Sequence, residues 1–135
     1  MQLLHVDAKF IDMAWRDGAS KLSEACDESG GEITGDQLKM ILSRGERTLV
    51  QMRVDDAVVG WGVFRVDQLP NLRVLFITDL YAPGGHFEQF FTAIKDVALN
   101  TGCSRVRCAA KPVQARLYAM KCQFSPVYSI LEVLV

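Results

Sequence analysis

The strand-like run 76–81 (Phe76, Ile77, Thr78, Asp79, Leu80, Tyr81) passes through Ala82, Pro83, Gly84 and Gly85 into a segment with a different period. There Phe87, Phe90, Phe91, Ile94, Val97 and Ala98 recur at helical spacing and form one broad apolar face, which ends at Asn100, Thr101 and Gly102. Residues 105–110 then read as a second strand. A strand, a helix and a strand in this order share a sheet as a parallel pair joined by a right-handed crossover, so the rest of the chain must be arranged around that unit. The corner also has chemical meaning. A strand that enters a helix through glycines presents free backbone N–H groups at the positive end of the helix, and these suit a phosphate.

The chain has 135 residues, half of them hydrophobic, enough for one core and one domain spanning 1–135. A formal net charge of −1 gives no general attraction to nucleic acid or to an anionic membrane, so neither is expected as a partner. No run of apolar residues is long enough to span a bilayer, and the first residues carry no basic region followed by an apolar stretch. Cys26, Cys103, Cys108 and Cys122 are irregularly spaced, and neither His5 nor His86 has a partner at ligand spacing, so no metal site is expected. Scattered thiols in a chain that needs no disulfide point to a reducing, cytoplasmic setting.

Asp7 caps a helix whose stripe is Phe10, Ile11, Ala14 and Trp15, and which continues past Gly18 to Leu22 and Ala25 until Gly30 and Gly31 stop it. Thr34 or Asp36 starts a second short helix carrying Leu38, Ile41 and Leu42, closed at Gly45. These helices precede any strand. Residues 48–54 and 58–66 form a hairpin turned by Asp55 and Asp56, and a third strand covers 73–81. Trp61 and Phe64 fall on opposite faces. Pro112 opens a last helix that runs through Met120, and 127–135 reads as a closing, buried strand. The expected fold is α+β in the order α-α-β-β-β-α-β-α-β, with an antiparallel meander plus a parallel pair in one mixed sheet and helices on both faces.

That order resembles the GNAT family of acyl-CoA-dependent N-acyltransferases. Four patches carry the resemblance: the hairpin residues Val58, Val59, Gly60, Trp61 and Gly62; the strand Ile77 to Tyr81; the helix exit Thr101 to Val106; and Arg116 to Tyr128 with its Leu117–Tyr118 pair and Phe124. The resemblance implies acetyl-CoA as cofactor, lying between two strands that splay apart, and a small-molecule or peptide amine as acceptor. It implies backbone contacts at Leu80 and Tyr81, a pyrophosphate near Gly84, Gly85 and His86, a proton donated to the departing thiolate by Tyr118, and amine deprotonation by Asp79, directly or through water.

The chain also departs from the family. Ala82 stands where the pyrophosphate loop usually has a basic or amide residue, Phe87 where it has a small one, and Gln123 where a glycine precedes the phenylalanine. The connection from Asp79 to the helix is shorter than usual. These departures open a second reading, a non-catalytic interaction or assembly module that no longer binds acetyl-CoA, of the kind small viral genomes carry. Each site residue also has a structural alternative: Gly84 and Gly85 as a plain turn, His86 as an idle first-turn residue, Tyr118 as core packing, and Asp79 as the partner of Arg105 or Arg107. Residues 127–135 either lie beside the fourth strand or support a homodimer by strand addition.

Overall fold

The computed structural model describes residues 1–135. Five strands form one sheet in the order in which they occur: β1 (Gln2–Val6), β2 (Thr48–Val54), β3 (Ala57–Gln68), β4 (Arg73–Tyr81) and β5 (Arg105–Cys108). The first four pair antiparallel, and β5 pairs parallel to β4. The crossover between them is α4 (Phe87–Asn100), and α5 (Pro112–Cys122) follows β5. The meander and the parallel pair are as the sequence predicts.

The amino terminus differs from expectation, since a strand precedes the helices. β1 is only five residues long, yet Leu3 stands opposite Met52 and Val6 opposite Leu49, so alternate residues reach both cores. The predicted first helix is also divided. Asp7 accepts from the Lys9 N–H at 3.1 Å and caps a 3₁₀ turn at Ala8–Phe10, which leads into α1 (Ile11–Arg16). Gly18 then adopts φ +131°, where Trp61 Nε1 would lie 3.3 Å from a Cβ, and the chain re-enters as a 3₁₀ turn and α2 (Ser23–Asp27). A side chain at position 18 would crowd that indole and would be strained at this φ. Thr34 caps α3 (Gly35–Ser43) by a reciprocal capping box with Gln37.

Two cores flank the sheet. On one face Ile11, Ala14, Cys26, Leu38 and Leu42 from the first three helices, with Leu22 from the 3₁₀ turn before α2, cover Leu49, Trp61 and Val63. On the other, Phe90, Phe91, Ile94 and Ala98 of α4 cover Val50, Met52, Phe64, Leu75 and Ile77. Trp61 and Phe64 do take opposite sides, as the spacing predicts. Phe87 departs from its helical stripe: it is half-buried and packs beside Tyr118 rather than in the core centre.

The largest departure is at the carboxyl terminus. No strand forms over 127–135; these residues are exposed, with Ile130, Leu131, Val133 and Leu134 83–91% exposed. The closing strand expected beside β5 is therefore missing, and β5 is left as the edge of the sheet.

Candidate active site

β4 is longer than its parallel partner. Its pairing with β5 runs from Val74–Arg105 to Ile77–Cys108 and stops, whereas β4 continues to Tyr81 and the chain after Cys108 turns away towards α5. Leu80 and Tyr81 thus lie on a strand edge that β5 does not cover. Their other edge stays paired, Leu80 opposite Gly62 and Tyr81 opposite Trp61, so this stretch is held in place while one side remains open. An extended chain bearing amides can lie along such an edge as an additional strand.

Tyr118 stands beside this opening. It is half-buried on α5, its ring 5.7 Å from Phe87, 5.0 Å from Phe91 and 6.0 Å from Phe124, centroid to centroid. With Leu80, Tyr81, Ala82, Pro83, Phe87, Gln114 and Leu117 it lines a cleft of about 290 Å³. Burial pushes the phenol above its ordinary range, and the neighbouring Cys108 and Cys122 add to the shift. A phenol held protonated at the mouth of an apolar cleft can give up its proton to a base formed there.

Gly84 and Gly85 turn the chain at φ +70° and +79° and are exposed. His86 is the N-cap residue of α4 but makes no side-chain cap; its Nδ1 meets Gln89 Oε1 at 3.0 Å. The first intrahelical bond runs from the Phe90 N–H to the His86 carbonyl. The N–H groups of the opening turn therefore lack a side-chain partner, and the helix end is available to an anion. Phe87, in the first turn of α4, packs its ring against Tyr118. No lysine or arginine lies in the 82–86 turn, and Glu88 in the first turn of α4 is 3.8 Å from Lys121.

Asp79 points the other way. A register shift between Val63 and Phe64 leaves Thr78 without a partner, and Asp79 comes to face the layer of the first three helices. There it is 6% exposed, accepts from Thr78 Oγ1 at 2.8 Å, and lies 3.6 Å from Arg47 Nη1 and 3.7 Å from Cys26 Sγ. The sequence reading named Arg105 or Arg107 as its partner; Arg47 takes that place, and no local pattern around Arg47 announced it. Burial and the Asp79 charge push the Cys26 thiol up to about 12. The structure thus gathers Tyr118, Leu80 and Tyr81 around one cleft, leaves Gly84, Gly85 and His86 at the adjoining helix start, and sets Asp79 on the opposite face of the sheet from Tyr118.

An exposed ion pair joins Glu28, just after α2, to Lys111, just before α5, and lowers the Glu28 carboxyl below its usual range. It ties the first helical layer to the segment that leaves β5. Sequence reasoning missed it; Phe124, which helped carry the family resemblance, lies with its ring 4.8 Å from Phe91 and closes the aromatic cluster around Tyr118.

No protein-family model matches the sequence, and no curated protein matches it either. Solved structures do match over the whole chain. A ribosomal-protein-alanine N-acetyltransferase from Brucella melitensis biovar Abortus 2308 superposes with TM-score 0.72 at 14% identity, covering all of both chains. A possible acetyltransferase from Clostridium difficile 630 gives 0.70 at 16% identity, over 99% of this chain and 97% of that one. A predicted acetyltransferase from Clostridium acetobutylicum, solved with acetyl-CoA, gives 0.68 at 13% identity, over 98% and 95%. The fold is that of GNAT-type acetyltransferases, a mixed five-stranded α+β sheet with helices on both faces.

Proposed function

We propose that the protein is an N-acyltransferase that moves an acetyl group from acetyl-CoA to a primary amine of a small molecule or peptide. The observation that carries this reading is the end of β4–β5 pairing at Ile77–Cys108, with Tyr118 beside the uncovered edge of Leu80 and Tyr81. The residues fit an acyl-CoA in two respects: the open edge accepts an amide-bearing arm, and the uncapped start of α4 at Gly84, Gly85 and His86 accepts its diphosphate. In a third they fit less well, since Ala82 supplies no charge to that diphosphate.

The thioester supplies an activated acyl group. The chain's own contribution is then to orient and to move protons. Backbone groups at Leu80 and Tyr81 align the arm, and a donor there polarises the carbonyl under attack. Tyr118 holds a proton for the departing sulfur. For Asp79, engagement by Arg47 and Thr78 favours holding the strand over direct deprotonation of the amine, which leaves that proton to water in the cleft. The Brucella structure is named for a ribosomal-protein alanine, and another neighbour, an aminoglycoside acetyltransferase solved with sisomicin, has TM-score 0.67 at 14% identity over 99% of this chain and 96% of that one. Peptide amino termini and amino sugars are therefore the acceptors to try first.

Calorimetric titration with acetyl-CoA tests the reading, followed by thiol release in the presence of those two acceptor classes. Saturable binding and acceptor-dependent thiol release are expected; no heat at millimolar acetyl-CoA would refute it. The second reading, a non-catalytic interaction or assembly module, is favoured by Ala82 and by the exposed apolar tail, and absence of binding would leave it standing.

A further inference from the structure

The sheet has one unfinished side, and the chain has one unfinished segment. β5 pairs only with β4, so its outer edge carries unpaired backbone donors and acceptors. Residues 127–135 pair with nothing, although Val127, Tyr128, Ile130, Leu131, Val133, Leu134 and Val135 are all apolar or aromatic and all exposed. Exposed apolar runs of this kind mark a contact surface.

The two match in pattern. Along β5, Arg105 and Arg107 face one side, and Val106 and Cys108 face the other, beside the cluster of Phe91, Tyr118 and Phe124. Arg107 Nε is buried without a hydrogen-bond partner. Glu132 is the only charged residue in 127–135. With the tail laid as a strand against β5 and Glu132 on the arginine side, alternation sends Leu131 and Val133 to the apolar side. The same placement sets the tail's one charged side chain beside an arginine and carries Ile130 and Leu134 to that side with it.

The connection to the tail is short and pinned. The Phe124 N–H donates to the Tyr118 carbonyl at 3.3 Å and its ring sits in the aromatic cluster, so free chain begins only at Ser125, which Pro126 restricts to extended conformations. A brief, stiff hinge ahead of an exposed segment favours handing that segment to a neighbour over folding it back. We infer that residues 127–135 of one copy complete the sheet of a second copy by pairing with its β5, reciprocally, to form a strand-exchanged homodimer.

Light scattering on the full chain should give twice the 15.1 kDa of one copy. Glu132→Arg and Arg107→Glu, each alone, should weaken the dimer roughly tenfold or more by opposing like charges. Mixed in equal amounts, the two variants should recover dimer, because each tail then meets a complementary strand on the other copy. Only exchange between copies gives that rescue. A wild-type monomer would overturn the inference, whether its tail amides are protected from exchange or free. So would a dimer that neither variant weakens, or weakened dimers that mixing does not restore. Circular dichroism of each variant separates a lost interface from a lost fold.

Discussion

Arg47 Nη1 lies 3.6 Å from Asp79 Oδ2, and this contact, between a strand's approach and the bulge of β4, is the ion pair that reaches the interior of the protein. The carboxylate is 4% exposed and the guanidinium 22%. Removing one partner leaves a charge in a poorly solvated place. Arg47→Met should therefore destabilise the fold by about 3 kcal/mol in urea titrations, and Asp79→Asn added to it should recover part of that loss. Additive losses would mean that the pair is not coupled.

Tyr118→Phe keeps the ring among Phe87, Phe91 and Phe124 and deletes only the hydroxyl. If the phenol protonates the leaving sulfur, turnover should fall by roughly a hundredfold with little change in acetyl-CoA affinity, within the range of general acid catalysis. Because burial raises the phenol above its ordinary value of 10.0, the wild-type alkaline limb should lie above pH 10 and should be absent in the variant. Rates against pH and melting temperatures of both proteins decide this.

Cys26 offers a stability test in the alkaline range. Its thiol ionises near 9.0 in the unfolded chain and at about 12 in the fold. The raised value means that its contribution is complete below pH 9 and is lost as pH climbs towards 12, since the unfolded state releases the proton first. Denaturation midpoints should fall less over that window in Cys26→Ala than in the wild type.

Gly60 links the hairpin to the cleft by close approach. A Cβ there would lie 2.4 Å from the Tyr81 carbonyl oxygen and 2.9 Å from Met52 Sδ. Gly60→Ala should cost about 2 kcal/mol through overpacking and should shift Tyr81, so that acetyl-CoA affinity falls together with stability. Unchanged affinity in the folded variant would separate Tyr81 from the binding edge.

Ala82→Arg restores a charge to the turn before α4. If that turn meets the diphosphate, acetyl-CoA should bind roughly tenfold more tightly at low salt, as one charge-assisted hydrogen bond allows, and the gain should shrink as salt is raised. Calorimetry at two ionic strengths measures both effects.

Local pattern revealed what local physics controls. The shift in period between Tyr81 and Phe87 gave the crossover, Thr34 or Asp36 marked the start of α3 and the structure takes Thr34, and Asp55 and Asp56, both at positive φ, made the hairpin turn that the sequence led one to expect. What escaped depends on partners distant in the chain. Gln2–Val6 becomes a strand because β2 lies beside it, Gly18 divides the first helix at φ +131° beside the Trp61 indole, and Asp79 turns inward to an arginine that no motif marks. The same limit held for Tyr118: spacing placed it on a helix, but only the folded chain put Leu80, Tyr81 and Phe87 around it. Residues 127–135 read as a strand from composition alone, and composition says nothing about which sheet receives them.

Thr78 is a surplus residue in its ladder, and its effect extends past its own position. Were Thr78 instead to pair with Val63, Asp79 would stand opposite Gly62 and point among the phenylalanines of α4, while Leu80 would turn towards the first helical layer. Leaving that one residue out of the pairing is what keeps the acid on its present side of the sheet. The side on which the molecule carries its buried negative charge is thus settled by counting residues, with no change in the kinds of amino acid present.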